Sequence, residues 1–535
     1  MSATQKTWEF VLSSEAATRE LARDIAFAIR PGDVIAVGGE LGTGKSAFAR
    51  AVIRTLAADE ALEVPSPTFT LMQVYDLPRF PVVHADLYRV NTLAELSEIG
   101  WEEASVDAAV LVEWPERAGP LLQSERLEIH LELAPDLGPT HRRIAITGIG
   151  NWSERLARIR AEHTALESAG FANARRVHLQ GDASSRSYER LHLGNETAIL
   201  MKSPVSKDGP VIRNGRTYGE IAKLAQDIKP FIALSRGLRA RGLSAPEIFA
   251  ADLNNGVLII EDLGSEGVVA GEPAAPIEER YAAAIDVLVA LHKAELSERL
   301  PVAPRIEYEI PRYDLDALLI EADLLIDWYI PHCKPGTQVE AATREAFRAL
   351  WREALLDPLS QPPSLVLRDF HSPNLLWLPE REGLKRVGLL DFQDALIGPR
   401  AYDVASLLMD ARVTVPEDME MRLLARYAAG MFAADPSFDP ARFAAHYVTM
   451  GAQRATKILG IFARLDRRDG KAQYLAHMPR VWNYLTRALE HPSLAAVKEW
   501  YAAQVPPPSN LKPAIPTDEE ALLEMLEAQI AKASL

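Results

Sequence analysis

Residues 364–377 read SLVLRDFHSPNLLW and residues 387–408 read VGLLDFQDALIGPRAYDVASLL. Asp369, Asn374, Asp391 and Asp403 each sit beside or at the end of an apolar run, so short buried strands would deliver them to loop mouths. Phosphoryl transfer from a nucleotide asks for such an arrangement: an acceptor hydroxyl held in line, metal ions clamping the phosphates, and little covalent work for the protein. Asp369 suits the residue that takes or orients the hydroxyl proton, and Asn374, five residues on, offers a hard oxygen to magnesium. Asp391, after the run Val387–Leu390, is the expected second metal ligand. An Asp-x-x-x-x-Asn pair alone is weak, because both residues also favour ordinary turns and caps. The strand into Asp391-Phe392, then Gly398-Pro399 and Tyr402-Asp403, gives the pair its context.

The same order occurs in the protein kinases, where a loop Asp handles the hydroxyl proton, the loop Asn holds magnesium and the Asp of Asp-Phe-Gly holds metal. Here that triplet is Asp391-Phe392-Gln393. The two segments resemble the aminoglycoside phosphotransferase and choline kinase superfamily. Within it they are most similar to bacterial cell-wall amino-sugar kinases that phosphorylate the anomeric hydroxyl of N-acetylmuramate. The resemblance implies a two-lobed α+β protein-kinase-like domain that uses ATP and Mg2+ on a small amino-sugar acceptor. Leu367 departs from the family pattern, in which many relatives carry His two residues before the catalytic Asp. Two alternatives therefore stay open: an aminoglycoside- or choline-type kinase, and a non-catalytic nucleotide-binding module. Asp403 is expected as a buried brace for the loop.

Upstream, residues 180–188 read QGDASSRSY and precede two strand-like runs, Tyr188–Leu193 and Thr197–Lys202. The amino-sugar kinases have a similar segment, which implies nucleotide contacts at Ser184 and Ser185. Lys202 fits a phosphate-pairing lysine and a solvated strand end equally. Val257–Leu263 reads as the strand entering the hinge between lobes. In the last helical part, Arg454, Lys457, Arg464, Arg468 and Lys471 recur among apolar positions. That pattern suits a solvated face, and also a basic lip for an anionic acceptor such as a lactyl carboxylate, which the planar fork of Arg matches. Past Val505, Pro506–Pro508 and Pro513–Pro516 form a stiff linker. A capping box at Thr517–Glu520 then opens a short amphipathic helix.

The N-terminal part carries a second phosphate signature. After an amphipathic helix over Glu15–Arg30 and a buried strand, Val34–Val37, comes GGELGTGKS at residues 38–46, leading into another helix. This is G-x-x-x-x-G-K-[ST] in the strand-loop-helix setting it requires. The backbone of Gly39, Gly42, Thr43 and Gly44 would turn N–H groups onto phosphates, Lys45 would reach the outer ones, and Ser46 would offer its hydroxyl to Mg2+. Two further apolar runs end in carboxylates. Phe80–Val83 leads to His84-Ala-Asp86, and Ala108–Val112 leads to Glu113-Trp114. Asp86 is the candidate metal ligand and Glu113 the candidate acid that positions water. In SPTF, residues 66–69, Thr68 fits either a switch-like contact to the terminal phosphate or an ordinary Ser-Pro turn.

GGELGTGKS, SPTFTL, HADLYR and EWPER, in that order, resemble the ATPase component of bacterial tRNA threonylcarbamoyladenosine biosynthesis. The resemblance implies an α/β P-loop ATPase that docks on the threonylcarbamoyl-transferase subunit and its non-catalytic paralogue, without carrying the transfer chemistry. It implies nucleotide contacts at Gly42, Gly44, Lys45 and Ser46, and metal or catalytic roles for Thr68, Asp86 and Glu113.

At 535 residues the chain exceeds what one core serves. The expected organisation is a P-loop domain over 1–150, a kinase-like domain over 151–505, and a linker with a helix over 506–535. The charged helix 152–168 reads as a bridge between the two domains or as the start of the second. A net charge of −16 argues against a broad grip on nucleic acid, so tRNA is expected to be reached only through partners. Cys333 is the only cysteine, which excludes an intrachain disulfide. The N-terminus MSATQKTWEF has no export signature, and no run of 18 apolar residues occurs, so a cytoplasmic protein without a membrane span is expected.

Overall fold

The computed structural model describes residues 7–90, 92, 95–96, 101–105, 107–119, 122, 124–179, 186–203, 209–294 and 297–509. Two compact units emerge: residues 1–174 with 250–258, and residues 175–249 with 259–535.

The first unit is built on a seven-stranded sheet in the order β1-β7-β6-β2-β5-β4-β3. The strands are β1 (Thr7–Leu12), β2 (Val34–Gly39), β3 (Met72–Tyr75), β4 (Val82–Asp86), β5 (Ala109–Glu113), β6 (Leu127–Leu133) and β7 (Arg142–Gly148). The inner strands β6, β2, β5 and β4 run parallel, while β7, β1 and β3 add antiparallel edges. Strands buried on both faces read as continuous apolar runs, which is why VIAVGG shows no alternation. On one face Ile35 and Val37 pack with α1 (Glu15–Ala28), α2 (Lys45–Ala57) and α3 (Trp152–Ser168); on the other, Val34 and Ala36 meet Val83, Val110 and Val112. Parallel register sets Asp86 beside Glu113, and Glu113 beside Val37 of β2, so the polar residues gather at one end of the sheet.

Helix α3 settles the domain boundary. Arg155 grips both oxygens of Asp33 at 2.5 and 2.7 Å, and His163 Nε2 lies 3.1 Å from Asp24 Oδ2. Trp152, Leu156 and Ile159 sit in the same core as α1 and α2. The division therefore falls at Ala174–Arg175, rather than near Gly150 as the sequence suggested. The helix looked like a linker because its charged residues dominate, but Arg155 and His163 among them pair with the first unit.

A second sheet, of five strands in the order β11-β12-β10-β9-β8, is formed by β8 (Arg175–Leu179), β9 (Ser187–Leu193), β10 (Glu196–Lys202), β11 (Ile248–Asp252) and β12 (Val257–Glu261). A largely helical body follows, threaded by α4 (Leu315–Leu324), α5 (Ala401–Leu408) and the long α6 (Pro440–Asp469). Helix α6 crosses α4 at Gly460, where a Cβ would come within 2.4 Å of the Leu324 backbone, so only glycine allows the approach. Two short antiparallel ladders complete the body: Ser364–Val366 with Leu396–Gly398, and Leu375–Trp377 with Val387–Leu389. Among the described residues no helix is long and apolar enough to cross a membrane. The helix expected from Thr517 lies outside the described residues.

Candidate nucleotide sites

In the first unit, β2 ends in a loop whose turns require positive φ at Gly39 (133°), Gly42 (82°) and Gly44 (106°). At Gly39 space matters as well, since a Cβ would lie 2.2 Å from Leu131 O. Lys45 is buried and folds over the loop, donating to Gly39 O and Glu40 O at 2.8 Å each. Its ammonium stands 3.9 Å from the Trp114 ring centre, and burial pulls its pKa down against the opposing pull of Glu113 and Asp86. Ser46 Oγ donates to Glu113 Oε2 at 2.9 Å, and Glu113 Oε1 lies 3.0 Å from His84 Nε2. Asp86 accepts from Ser66 Oγ at 2.9 Å and from the Tyr88 amide at 3.1 Å. Within SPTF the hydroxyl that meets Asp86 is thus Ser66, while Thr68 is half-buried in the adjoining turn. Thr43 Oγ1 turns inward to Glu40 O at 2.9 Å, and Arg142 of β7 clamps the loop by donating to Thr43 O at 2.9 Å.

In the second unit, the chain leaves the Ser364–Val366 strand and turns sharply, with Arg368 at φ 70°. Asp403, fully buried on α5, holds that turn by accepting from the Leu367 and Arg368 amides at 2.6 and 2.9 Å. Burial pushes its pKa up to about 7 against those two donors. Asn374 Nδ2 donates to Asp369 O at 2.9 Å, and the Leu390 amide donates to Asn374 O at 2.9 Å, so the Asp369 loop and the strand before Asp391 are tied together. Asp391 has φ 53° and a raised pKa, from burial first and the negative charge of Asp369 second. Those two carboxylates therefore share one field. Asp369 is held low instead: burial would raise it, but Lys457 and Arg454 outweigh that.

Beneath the loop lies a buried network. Glu321 on α4 accepts from Arg368, from Lys457 at 2.8 Å and from the Tyr313 hydroxyl at 2.5 Å. Arg368 and Lys457 overcome the effect of burial and hold the Glu321 pKa at about 2. Arg454, one turn before Lys457 on α6, lies 3.3 Å from His371 Nδ1 and 3.9 Å from Asp369 Oδ1.

Residues 12–143 match the family of the threonylcarbamoyl adenosine biosynthesis protein TsaE, and residues 176–446 match the phosphotransferase enzyme family APH. An N-acetylmuramate/N-acetylglucosamine kinase of Caulobacter vibrioides is 38% identical over 66% of this chain and 98% of its own length. A protein of the same description from Pseudomonas aeruginosa is 33% identical, over 60% of this chain and 86% of its own length. A tRNA threonylcarbamoyladenosine biosynthesis protein TsaE of Rickettsia bellii is 36% identical over 24% of this chain and 87% of its own length. The chain belongs to the TsaE family in its first unit and to the APH family in its second.

Several expected contacts lie elsewhere in the APH unit. Lys202 Nζ is bound to Glu189 Oε1 at 2.7 Å, and Arg176 holds the same carboxylate at 2.8 Å. Those cations, against burial, keep the Glu189 pKa at about 2, so the Lys202 ammonium is engaged with the neighbouring strand. Arg468 is paired in two bonds with its neighbour Asp469 at 2.7 and 2.9 Å, and Arg464 stacks on Tyr218 at 5.3 Å. Lys471 follows the helix end at Gly470. The cations of α6 that reach the Asp369 loop are Arg454 and Lys457, further toward its middle. Ser184 and Ser185 lie outside the described residues. Glu321, which pairs with Arg368, and Asp410, which accepts from the Ser372 amide at 2.8 Å, support the Asp369 loop and were not singled out by the sequence pattern. For Glu321 the signal was a charged residue inside an apolar helical run.

Proposed function

We propose that the chain is a bifunctional enzyme: its TsaE unit is an ATPase serving threonylcarbamoyl modification of tRNA adenosine next to the anticodon, and its APH unit transfers the γ-phosphoryl group of ATP to a sugar hydroxyl. The favoured acceptor is the anomeric hydroxyl of N-acetylmuramate or N-acetylglucosamine, in cell-wall recycling. The observation that carries the second half is the convergence of Asp369, Asn374 and Asp391 on one loop pair, braced by Asp403 and the Glu321 network. In this reading Asp369 orients the acceptor hydroxyl and takes its proton late, as its lowered pKa suits. Arg454 supplies the positive side of the acceptor pocket, which favours a carboxylate-bearing amino sugar over a cationic aminoglycoside. The Caulobacter and Pseudomonas kinases point to the same acceptor class.

Mg2+ fits both donor sets chemically. Ser46 with Asp86 in the TsaE unit, and Asn374 with Asp391 in the APH unit, are hard oxygen donors. Among the described residues no group of three or more His, Cys, Asp or Glu gathers to hold a metal, and Mg2+ commonly takes one or two carboxylates with nucleotide phosphates and water. When bound, the ion would offset charge on the phosphate oxygens. In this reading Glu113, hydrogen-bonded to Ser46 and beside Asp86, positions water. The partners in this reading are the threonylcarbamoyl-transferase subunit and its non-catalytic paralogue, which bring tRNA indirectly, and the setting is the cytoplasm. A panel of acceptors, including N-acetylmuramate, N-acetylglucosamine, an aminoglycoside and choline, followed by phosphorus NMR tests the reading. Acceptor-dependent appearance of an anomeric phosphate is expected, and phosphorylation of choline or aminoglycoside alone would overturn it.

A further inference from the structure

Arg186 stands immediately before β9, on the small-lobe side of the APH unit, and its guanidinium reaches Asp391: Nη1 lies 3.0 Å from Oδ1. Gln393 Nε2 donates to the same oxygen at 2.7 Å. Tyr188 and Asp394 also act on Arg186 electrostatically. The backbone of Asp391 is fixed by its left-handed φ and by the Leu390 to Asn374 bond, while Arg186 and Gln393 meet its carboxylate. A guanidinium and a divalent ion compete for that carboxylate, because Oδ1 already receives Arg186 and Gln393 and each further positive charge there repels the other. Phosphate oxygens offer Arg the same forked geometry as a carboxylate.

We propose that Arg186 is a phosphate-positioning residue of the APH unit that exchanges between Asp391 and the phosphates of ATP, releasing the carboxylate to the metal as nucleotide arrives. The inference rests on the phosphotransferase reading of this unit. While paired, the arginine offsets repulsion between Asp391 and Asp369; once moved, it neutralises phosphate charge while Asp391 turns to the ion. Metal and nucleotide are thereby coupled, each binding better with the other than alone.

The test uses the full chain carrying Lys45→Ala, so that the TsaE loop does not report nucleotide. Mn2+ stands in for Mg2+, with free ion followed by electron paramagnetic resonance, and only binding lost in Asp391→Asn is counted. Arg186→Met is expected to bind Mn2+ alone several-fold more tightly, yet to bind ATP with Mn2+ about tenfold more weakly, the effect of one charge-assisted hydrogen bond. Arg186→Lys should recover part of the nucleotide affinity. A gain in ion affinity is not something a misfolded protein produces. Unchanged affinity for Mn2+ alone, or for nucleotide, overturns the exchange. If Asp391→Asn then still abolishes transfer, the phosphotransferase reading survives; if Asp391→Asn matches the parent in every measurement, both fall.

Discussion

Between Gly39 and Ser46 the TsaE unit places its loop glycines, Lys45 and the Ser46 hydroxyl within eight consecutive residues, whereas the APH unit draws Arg186, Glu321, Asp369, Asp391 and Lys457 from segments far apart in the chain. The first site depends on local backbone geometry, with three glycines at positive φ and one lysine folded over them. The second depends on buried charges that balance only when the whole helical body is assembled. A fault in the first should therefore stay local. A fault beneath the second should spread into stability.

The largest expected effect is at Asp369. Asp369→Asn should lower phosphoryl transfer by about 10²- to 10⁴-fold, as loss of a general base does, while leaving ATP hydrolysis by the TsaE unit unchanged. Transfer kinetics measured beside hydrolysis in one preparation check this, and a parallel loss of both would break the contrast between the units. Glu321→Gln comes next, because it strands Arg368 and Lys457 without a buried carboxylate. A loss of about 3–5 kcal/mol is expected, read from the denaturation midpoint of the APH unit. The sign with pH follows from a depressed carboxylate: its contribution is present above the unfolded value of 4.5 and is lost as pH falls through the folded value of about 2. The gap between parent and variant should accordingly shrink in acid.

Lys45→Ala is expected to weaken nucleotide binding in the TsaE unit by about 100-fold, the size of a strong charge-assisted hydrogen bond, with thermal stability nearly unchanged. Calorimetric titration alongside a melting curve separates the two, and a large fall in stability would refute the local picture. In Asp403→Asn the prediction lies in the pH dependence. The parent carboxyl is raised by burial, so its stabilising contribution is greatest below the unfolded value of 3.8 and is lost as pH rises through about 7. Relative to the parent, the variant should gain stability from pH 4 to 7, and a flat difference across that range would count against a raised Asp403.

How far each site could be read beforehand follows the same contrast. The P-loop and the strand-end carboxylates Asp86 and Glu113 were legible because one short motif and two apolar runs specify them. Asp369, Asn374 and Asp391 were legible for the same reason, each beside an apolar run. Lys202 was open in the sequence because a strand-end lysine looks alike whether it faces phosphate, solvent or a carboxylate, and its Glu189 partner is visible only in the fold. Which of the basic residues along α6 meets which partner was open in the sequence: Arg454 and Lys457 reach the Asp369 loop, Arg464 lies against Tyr218 and Arg468 against Asp469, as their spacing along the helix sets. Helix 152–168 was misassigned because its partners Asp33 and Asp24 lie far back in the sequence.

The amino-acid sequence by itself determined that two nucleotide-handling units share this chain, since loop glycines, a following lysine and carboxylates at strand tips act through neighbours in the chain. Only the tertiary structure decided which cation meets which carboxylate: Arg186 with Asp391, Lys202 with Glu189, Arg368 and Lys457 with Glu321. The physical reason is that a buried charge is tolerated only with a partner at hydrogen-bond distance, and that distance is set by how strands and helices pack.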